Sequence, residues 1–139
     1  MRDADPSAFD TMMAFERYLG KSSLSKTDAE LIKIRVSQIN GCSYCIDKHI
    51  KDALAAGEDP RRICLLAVWK ETSLFTKEEQ AILALTEEMT LIHRHGLTDE
   101  VYNNALNLLG QKYLTEVMMA VIAMNAWNRV GITTGRQPE

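Results

Sequence analysis

The chain has 139 residues, and 16 lysines and arginines against 19 aspartates and glutamates give a formal net charge of −3. This length fits one domain, which we place over residues 1–139, and the apolar share of 46% excludes an intrinsically disordered chain. The mildly acidic balance provides no electrostatic attraction to nucleic acid or to anionic lipid. We therefore expect neither nucleic acid nor a membrane among the partners.

The longest uninterrupted apolar run has 8 residues, Val117 to Met124, far short of the about 20 that a membrane-spanning helix needs. The starting sequence MRDADPSAF lacks the apolar core of a signal peptide, which predicts a cytoplasmic location. Three cysteines are too few for a disulfide framework. A Cys-x-x-Cys pair in a cytoplasmic protein is more often redox-active or metal-binding than structural.

Glycines and prolines punctuate the chain, and the segments between them are rich in helix-favouring residues. Proline is tolerated at the first helical position, and glycine suits the left-handed residue just after a helix end. Thr76 and Glu79 match a capping box. The predicted helices run from Pro6 to Leu19, Lys26 to Asn40, Cys42 to Gly57, Pro60 to Glu71, Thr76 to Gly96, Thr98 to Leu109 and Lys112 to Val130. Seven helices with short connections predict an all-α bundle.

One segment, Ile32 to Ser37, alternates apolar and polar residues and locally resembles a β-strand. A strand leading into Cys-x-x-Cys and then a helix would suggest the thioredoxin fold. That fold needs several more strands and a cis-proline, and no later segment has a clear strand pattern. The apolar residues of this region also form one helical face, so a helix is favoured.

The run from Val117 to Met124 is apolar on all sides, which is typical of a fully enclosed helix. Two arrangements would enclose it. The helix either lies at the centre of the domain or has one side covered by a neighbouring subunit.

The most informative stretch is Cys-Ser-Tyr-Cys-Ile-Asp-Lys-His, from Cys42 to His49. At about 100° per residue, Cys45 lies about 60° and His49 about 20° around a helix from Cys42, so the three side chains share one face. Residues three apart on a helix have Cβ atoms roughly 5–6 Å apart, so a modest adjustment allows a disulfide between the cysteines. His49 follows Cys45 by one turn and can exchange a proton with it.

Two effects compete to activate one thiol as a thiolate, which is the attacking form. Cys42 is nearer the positive N-terminus of the helix, whereas Cys45 is nearer His49, and spacing alone favours neither. Zinc binding is an alternative role, with Cys42, Cys45 and His49 as the ligands. A structural Cys-x-x-Cys zinc site, however, usually has a second such pair. The third cysteine, Cys64, stands alone in an apolar stretch and is predicted to be a core residue.

Glu30 lies twelve residues before Cys42 and has two interpretations. Thr27-x-x-Glu30 matches a capping box, in which Glu30 would only close the start of its helix. Ser25-x-x-Asp28 offers the same cap two residues earlier. If Ser25 is the cap, Glu30 lies inside the helix and needs another role.

Glu30, Cys42, Cys45 and His49 have the spacing Glu, eleven residues, Cys-x-x-Cys, three residues, His. In this pattern the chain resembles the AhpD-like alkylhydroperoxidase branch of the carboxymuconolactone decarboxylase superfamily. The likeness covers essentially the whole chain. Outside the motif it includes residues 31–41, Phe75, Thr76, Glu79, Glu87, Thr90 and residues 125–129.

The resemblance implies an AhpD-like bundle of about seven helices that forms homo-trimers or homo-hexamers, and a dithiol peroxidase or disulfide reductase activity. It implies that Cys45 attacks a hydroperoxide and that Cys42 resolves the sulfenic acid to a disulfide. His49 and Glu30 would form a proton relay, partly through water. An external dithiol or disulfide reductase would restore both thiols, and neither a cofactor nor a metal is expected.

The chain departs from the best-known members at Tyr44, where they carry a histidine. A neutral phenol, with a pKa of about 10, is a poor base near pH 7, which predicts slow deprotonation of Cys42 by this route. A general thiol–disulfide oxidoreductase with weak peroxidase activity is therefore the first alternative. A non-enzymatic zinc-binding or redox-sensing module is the second. The decarboxylases of the superfamily lack the cysteine pair, so decarboxylation is not expected.

Overall fold

The computed structural model describes residues 1–138, and within this range the chain contains helices and no strand. The all-α prediction is confirmed. The α-helices are α1 (Pro6–Leu19), α2 (Lys26–Asn40), α3 (Ser43–Ala55), α4 (Pro60–Leu65), α5 (Lys77–Thr90), α6 (Ile92–His95) and α7 (Asp99–Thr133), with a 3₁₀ helix over Leu66–Glu71. None of the helices within residues 1–138 is both long and apolar enough to cross a membrane.

The predicted starts of the helices follow from side-chain caps. Ser25 accepts a hydrogen bond from the backbone N–H of Asp28 and caps α2. The capping box of Thr76 and Glu79 is complete at the start of α5. The segment from Ile32 to Ser37 lies inside α2, so the strand interpretation is wrong. Its apolar residues and Ser37 are buried in the core, while Lys33 and Arg35 are partly exposed.

Four predicted helices differ from the observed ones. The helix predicted from Pro60 to Glu71 ends at Leu65 and continues as the 3₁₀ helix, within which Val68 is non-helical. The helix predicted from Thr76 to Gly96 is interrupted at Leu91, between α5 and α6. The last two predicted helices are joined in α7, which breaks at Gly110. Gly110 has φ of 74°, a left-handed conformation that glycine adopts without steric cost.

The core lies where α2, α5 and α7 meet. Fully buried residues of these helices pack there: Ile32, Val36, Ile82, Leu85, Leu114, Val117 and Val121. Burying one such aliphatic side chain contributes about 1.5–3 kcal/mol, so this shared core is the main source of stability. A second cluster, around Leu31, Ile34, Trp69 and Phe75, joins the other side of α2 to the 3₁₀ helix.

One side of the central part of α7 lies in the core of the domain, as the first of the two arrangements predicts, and another side is exposed in the single chain. Val117, Val121 and Met124 are buried in the core, whereas Ile122 is 43% exposed in the single chain. Cys64 is exposed, so its prediction as a core residue is wrong. On the short helix α4 the neighbouring Ile63 takes the inward position, which turns Cys64 outward.

Two carboxylates of α5 connect this helix to α4, to the 3₁₀ helix and to α2. Glu79 on α5 binds Arg62 on α4, and Glu87 accepts hydrogen bonds from Arg35 and Trp69. Burial raises the pKa of Glu79 and of Glu87, but their hydrogen bonds outweigh it, so each pKa lies below its ordinary value. These carboxylates therefore stay ionised at neutral pH.

Asparagines and a serine connect α2 to α7 within the core. Asn128 on α7 is fully buried, and its Nδ2 donates to Ser37 Oγ at 3.0 Å while its Oδ1 accepts from Asn40 Nδ2 at 3.0 Å. Asn40 also donates to Asn125. Buried polar groups that are paired in this way fix the relative position of two helices, because any displacement leaves them unsatisfied.

Replacing Asn128 by alanine should therefore lower the free energy of unfolding by about 2–4 kcal/mol, since it removes two hydrogen bonds and opens a small cavity. Urea unfolding followed by circular dichroism measures the loss. Asn104→Ala, at an exposed position of the same helix, is the matched control and should change stability by less than about 0.5 kcal/mol. Equal effects of the two substitutions would contradict the role of Asn128.

Candidate active site

Cys42 and Cys45 lie at the start of α3 and form a disulfide, with their Cα atoms 5.3 Å apart. Gly41 ends α2 with φ of 73°, which turns the chain so that Cys42 becomes the N-cap of α3. The sulfur of Cys42 accepts a hydrogen bond from the backbone N–H of Cys45. Both cysteines are buried, at 2% and 4% exposure. The sequence places both on one turn, but it does not predict their burial.

The last helix covers the disulfide. A Cβ atom placed on Gly131 of α7 would lie 3.1 Å from the sulfur of Cys42 and 3.3 Å from that of Cys45. The backbone of α7 therefore packs directly against both sulfurs. Nothing in the sequence associates Gly131 with the cysteines, since the contact arises only from the packing of α7 on α3.

Glu30 and His49 form a buried hydrogen bond between α2 and α3. His49 Nδ1 lies 2.8 Å from Glu30 Oε2, and the exposed fractions of the two residues are 8% and 6%. Because Ser25 caps α2, the capping role considered for Glu30 is wrong. When Nδ1 donates its hydrogen to the carboxylate, Nε2 of the neutral ring is left as a proton acceptor.

The charge of Glu30 is stabilised despite its burial. Burial raises the pKa of its carboxyl group, but the hydrogen bond to His49 and the positive charge of Lys33 have the larger combined effect. The pKa of Glu30 therefore lies below its ordinary value. The second carboxylate oxygen is 3.3 Å from the Lys33 ammonium group.

Glu30 also lines a cavity of about 260 Å³ between α2, α3 and α4. Leu31 and Ala53 form apolar parts of its wall, and Arg62 and Glu79 form charged parts. Such a polar cavity has room for several water molecules. Glu30 is therefore placed between this cavity on one side and His49 on the other.

Tyr44, between the two cysteines, contacts the segment that follows α7. The guanidinium group of Arg136 lies 4.6 Å from the centre of the Tyr44 ring. Its Nη1 donates to the Tyr44 hydroxyl oxygen at 3.1 Å. The sequence does not predict this pair, because the two residues are 92 positions apart.

Within residues 1–138, the donor atoms that could hold a metal ion belong to Glu30, His49 and Asp52, which lie within 4.8 Å of one another. The zinc hypothesis for Cys42, Cys45 and His49 applies only to the reduced protein, because here the two sulfurs are bonded to each other. The carboxylates of this group already bind ammonium ions, Glu30 that of Lys33 and Asp52 that of Lys48.

Residues 6–88 match the sequence pattern of the carboxymuconolactone decarboxylase family. The uncharacterized protein YdfG of Bacillus subtilis (strain 168) is 39% identical over 132 residues, which cover 95% of this chain and 90% of that protein. The alkyl hydroperoxide reductase AhpD of Bradyrhizobium diazoefficiens is 42% identical over 45 residues, which are 32% of this chain and 25% of that enzyme. This second match covers only a short part of the enzyme.

Solved structures share the fold. A protein of unknown function from Agrobacterium tumefaciens, described as a candidate antioxidant defence protein AhpD, superposes with a TM-score of 0.95 at 32% identity, over 99% of this chain and 94% of that one. An uncharacterized peroxidase-related protein from Silicibacter sp. TM1040 gives a TM-score of 0.82 at 22% identity, over 97% and 72% of the respective chains. At that identity the second likeness shows the fold alone.

The lowered pKa of Glu30 predicts a pH-dependent contribution to stability. The ionised carboxylate stabilises the fold fully above its unfolded pKa of about 4.5, and this contribution is lost as the pH falls through the lower folded pKa. At pH 7, Glu30→Gln should reduce the unfolding free energy of the oxidised protein by about 1–3 kcal/mol. Urea unfolding at pH 7 and at lower pH should show this difference shrinking as the carboxylate of the parent protein protonates.

The control for this substitution is Glu78→Gln, at an exposed position in the first turn of α5. It should change stability by less than about 0.5 kcal/mol at either pH. A Glu30→Gln deficit that stays constant from pH 7 down through the titration of the carboxyl group would contradict the ionised pair.

Proposed function

The chain belongs to the carboxymuconolactone decarboxylase family, in its AhpD-like branch, and on this premise we propose that it is a thiol-dependent hydroperoxide reductase. The observation that carries the proposal is the pairing of the Cys42–Cys45 disulfide with a buried histidine–carboxylate hydrogen bond one turn further along α3. A disulfide between these residues is the oxidised product that a dithiol peroxidase forms in each cycle. His49 and Glu30 provide the proton transfer that the cycle needs.

In the first step, the thiolate of Cys45 attacks the terminal oxygen of a hydroperoxide ROOH. The S–O bond forms as the O–O bond breaks, which oxidises the sulfur to a sulfenic acid and reduces the peroxide to an alcohol. The leaving alkoxide takes up one proton. That proton is the one that the Cys45 thiol gave to His49, so no net proton is consumed.

His49 acts in this scheme as the base that activates Cys45 and then as the acid that protonates the leaving group. Glu30 orients the ring through Nδ1 and stabilises the imidazolium form, because its negative charge lies 2.8 Å away in a buried setting. The cavity beside Glu30 gives the relay a place for water.

In the second step, the sulfur of Cys42 attacks the sulfenic sulfur of Cys45. The disulfide forms, and hydroxide leaves as water with the proton of the Cys42 thiol. An external dithiol then reduces the disulfide by thiol–disulfide exchange and becomes oxidised itself. The reducing environment of the cytoplasm, where we place the protein, keeps such donors reduced.

A second candidate is a general thiol–disulfide oxidoreductase with weak peroxidase activity. The observation that favours it is Tyr44, which stands where the best-known members of the branch carry a histidine and whose hydroxyl accepts a hydrogen bond from Arg136. Such an enzyme would exchange disulfides with external dithiols but turn over peroxide slowly. A non-enzymatic zinc-binding or redox-sensing module would instead bind zinc near stoichiometrically when purified in the reduced state.

The reaction is tested by following the consumption of hydrogen peroxide and an alkyl hydroperoxide with several dithiol donors. Cys45→Ser should abolish turnover and sulfenic acid formation. Cys42→Ser should stop turnover but leave one sulfenic acid on Cys45, detectable by trapping and mass spectrometry. His49→Gln and Glu30→Gln should slow the reaction by about 10²–10⁴-fold while keeping the nucleophile.

Cys64→Ser is the matched control, because Cys64 is an exposed cysteine outside the disulfide. It should leave turnover unchanged. Sulfenic acid trapped on Cys42 in the Cys45→Ser variant, with none on Cys45 in the Cys42→Ser variant, would reverse the two roles. Rapid disulfide exchange without peroxide consumption would support the second candidate.

We also propose that the protein is a homo-trimer or a homo-hexamer. The resemblance to AhpD-like proteins implies such an assembly, and the side of α7 that carries Ile122 is 43% exposed at that residue in the single chain. Large exposed apolar residues on a central helix are typical of surfaces that a second subunit covers.

Sedimentation velocity at micromolar concentration should therefore show a species of three or six chains. Ile122→Lys should weaken the assembly, because it places a charge on the exposed apolar side of α7. Thr115→Lys is the control variant, since it adds the same charge at another exposed position of that helix. A single species of 15.7 kDa for the unaltered protein would overturn the assembly.

A further inference from the structure

The end of α7 directs Arg136 toward the dithiol. Gly135 has φ of 66°, its N–H donates to the carbonyl of Ile132 at 3.1 Å, and the N–H of Arg136 donates to the carbonyl of Gly131 at 3.0 Å. These two bonds form a Schellman motif, which reverses the chain sharply after a helix. Because Gly131 also lies against both sulfurs, the motif fixes the backbone of Arg136 close to the cysteine pair.

The side chain of Arg136 is held at the same place by a second, separate contact. Its guanidinium group lies 4.6 Å from the centre of the Tyr44 ring and donates to the Tyr44 hydroxyl. Tyr44 stands between Cys42 and Cys45 in the first turn of α3. A cation stacked on an aromatic ring and bonded to its hydroxyl has fewer accessible rotamers than a free surface arginine.

The charge of Arg136 differs from the other charges around α3 because, within residues 1–138, no carboxylate pairs with it. The other charged residues of α3 pair with one another or with Glu30 on α2, and Glu30 also pairs with Lys33. Those pairs are Lys33 with Glu30, Glu30 with His49, Lys48 with Asp52, and Lys51 with Asp47. Among the described residues, the positive charge of Arg136 therefore has no carboxylate partner.

We propose that Arg136 is a positioning residue of the dithiol: held over Tyr44, it keeps a fixed positive charge at the rim of the site and stabilises the thiolate form of the reduced cysteines. A nearby cation favours the charged form of a thiol and so increases the thiolate fraction at neutral pH. The relevance of this effect to turnover rests on the proposed function. The effect of Arg136 on the thiols themselves does not depend on the proposed function.

The test measures thiolate formation without peroxide. In a Cys64→Ser background, single-thiol variants carrying Cys42→Ser or Cys45→Ser are alkylated with iodoacetamide at a series of pH values, and the rates are followed by mass spectrometry. Adding Arg136→Met should lower the rate at pH 7 by about three- to tenfold for at least one thiol, which corresponds to a rise of about half to one unit in its pKa. The limiting rate at high pH should be unchanged.

Three further measurements distinguish charge from structure. Arg136→Lys should restore at least part of the lost rate, because it keeps the charge. Arg129→Met removes a different exposed arginine, which lies on α7 and donates to carbonyl oxygens of Asn125, and should leave the profile unchanged. Salt at about 0.5 M should narrow the difference between the parent and Arg136→Met, since Arg136 is an exposed residue.

Superimposable pH profiles for the parent and Arg136→Met would overturn the proposal. So would an equal shift caused by Arg129→Met, which would indicate a general effect of surface charge. A change confined to the limiting rate at high pH would indicate altered access to the sulfurs and would also overturn it. Because alkylation requires no turnover, the outcome stays interpretable even if the protein reduces no peroxide.

Discussion

The hydrogen bond between Glu30 and His49 is the contact on which the site depends. An ionised carboxylate cannot be buried in a helical core unless cations or donors compensate the loss of water, and His49 and Lys33 provide that compensation. The bond also joins α2 to α3 one turn beyond the cysteines, so the same contact that satisfies Glu30 fixes the orientation of the imidazole.

The sulfurs owe their environment to α7 as much as to α3. The absence of a side chain at Gly131 lets the α7 backbone pack against both sulfurs, and the chain reversal after α7 brings Arg136 to Tyr44. The buried Asn128 then fixes α7 to α2 through Ser37. Helix packing, the covering of the disulfide and the contact of Arg136 with Tyr44 are consequences of one interhelical arrangement.

The fold follows largely from local signals in the sequence. Caps and helix-ending glycines predict the helix starts well, because hydrogen bonds within a few residues decide them. The same signals miss the interruption at Leu91 and the 3₁₀ helix after Leu65, where no glycine or proline marks the change. At Trp69 the backbone accommodates a buried ring whose Nε1 binds Glu87 on α5, a contact outside any local window.

The sequence by itself determined that the chain is helical, that Cys42, Cys45 and His49 share a helical face, and that Glu30 has the spacing of a functional partner. These properties depend on helical periodicity and on motif spacing, both of which act over short distances along the chain. Only the tertiary structure decided that Glu30 binds His49 rather than capping α2, that Cys64 is exposed, that Gly131 packs against both sulfurs, and that Arg136 contacts Tyr44. Each of these depends on how separate helices pack, and the energy of that packing is distributed over contacts between residues far apart in the sequence.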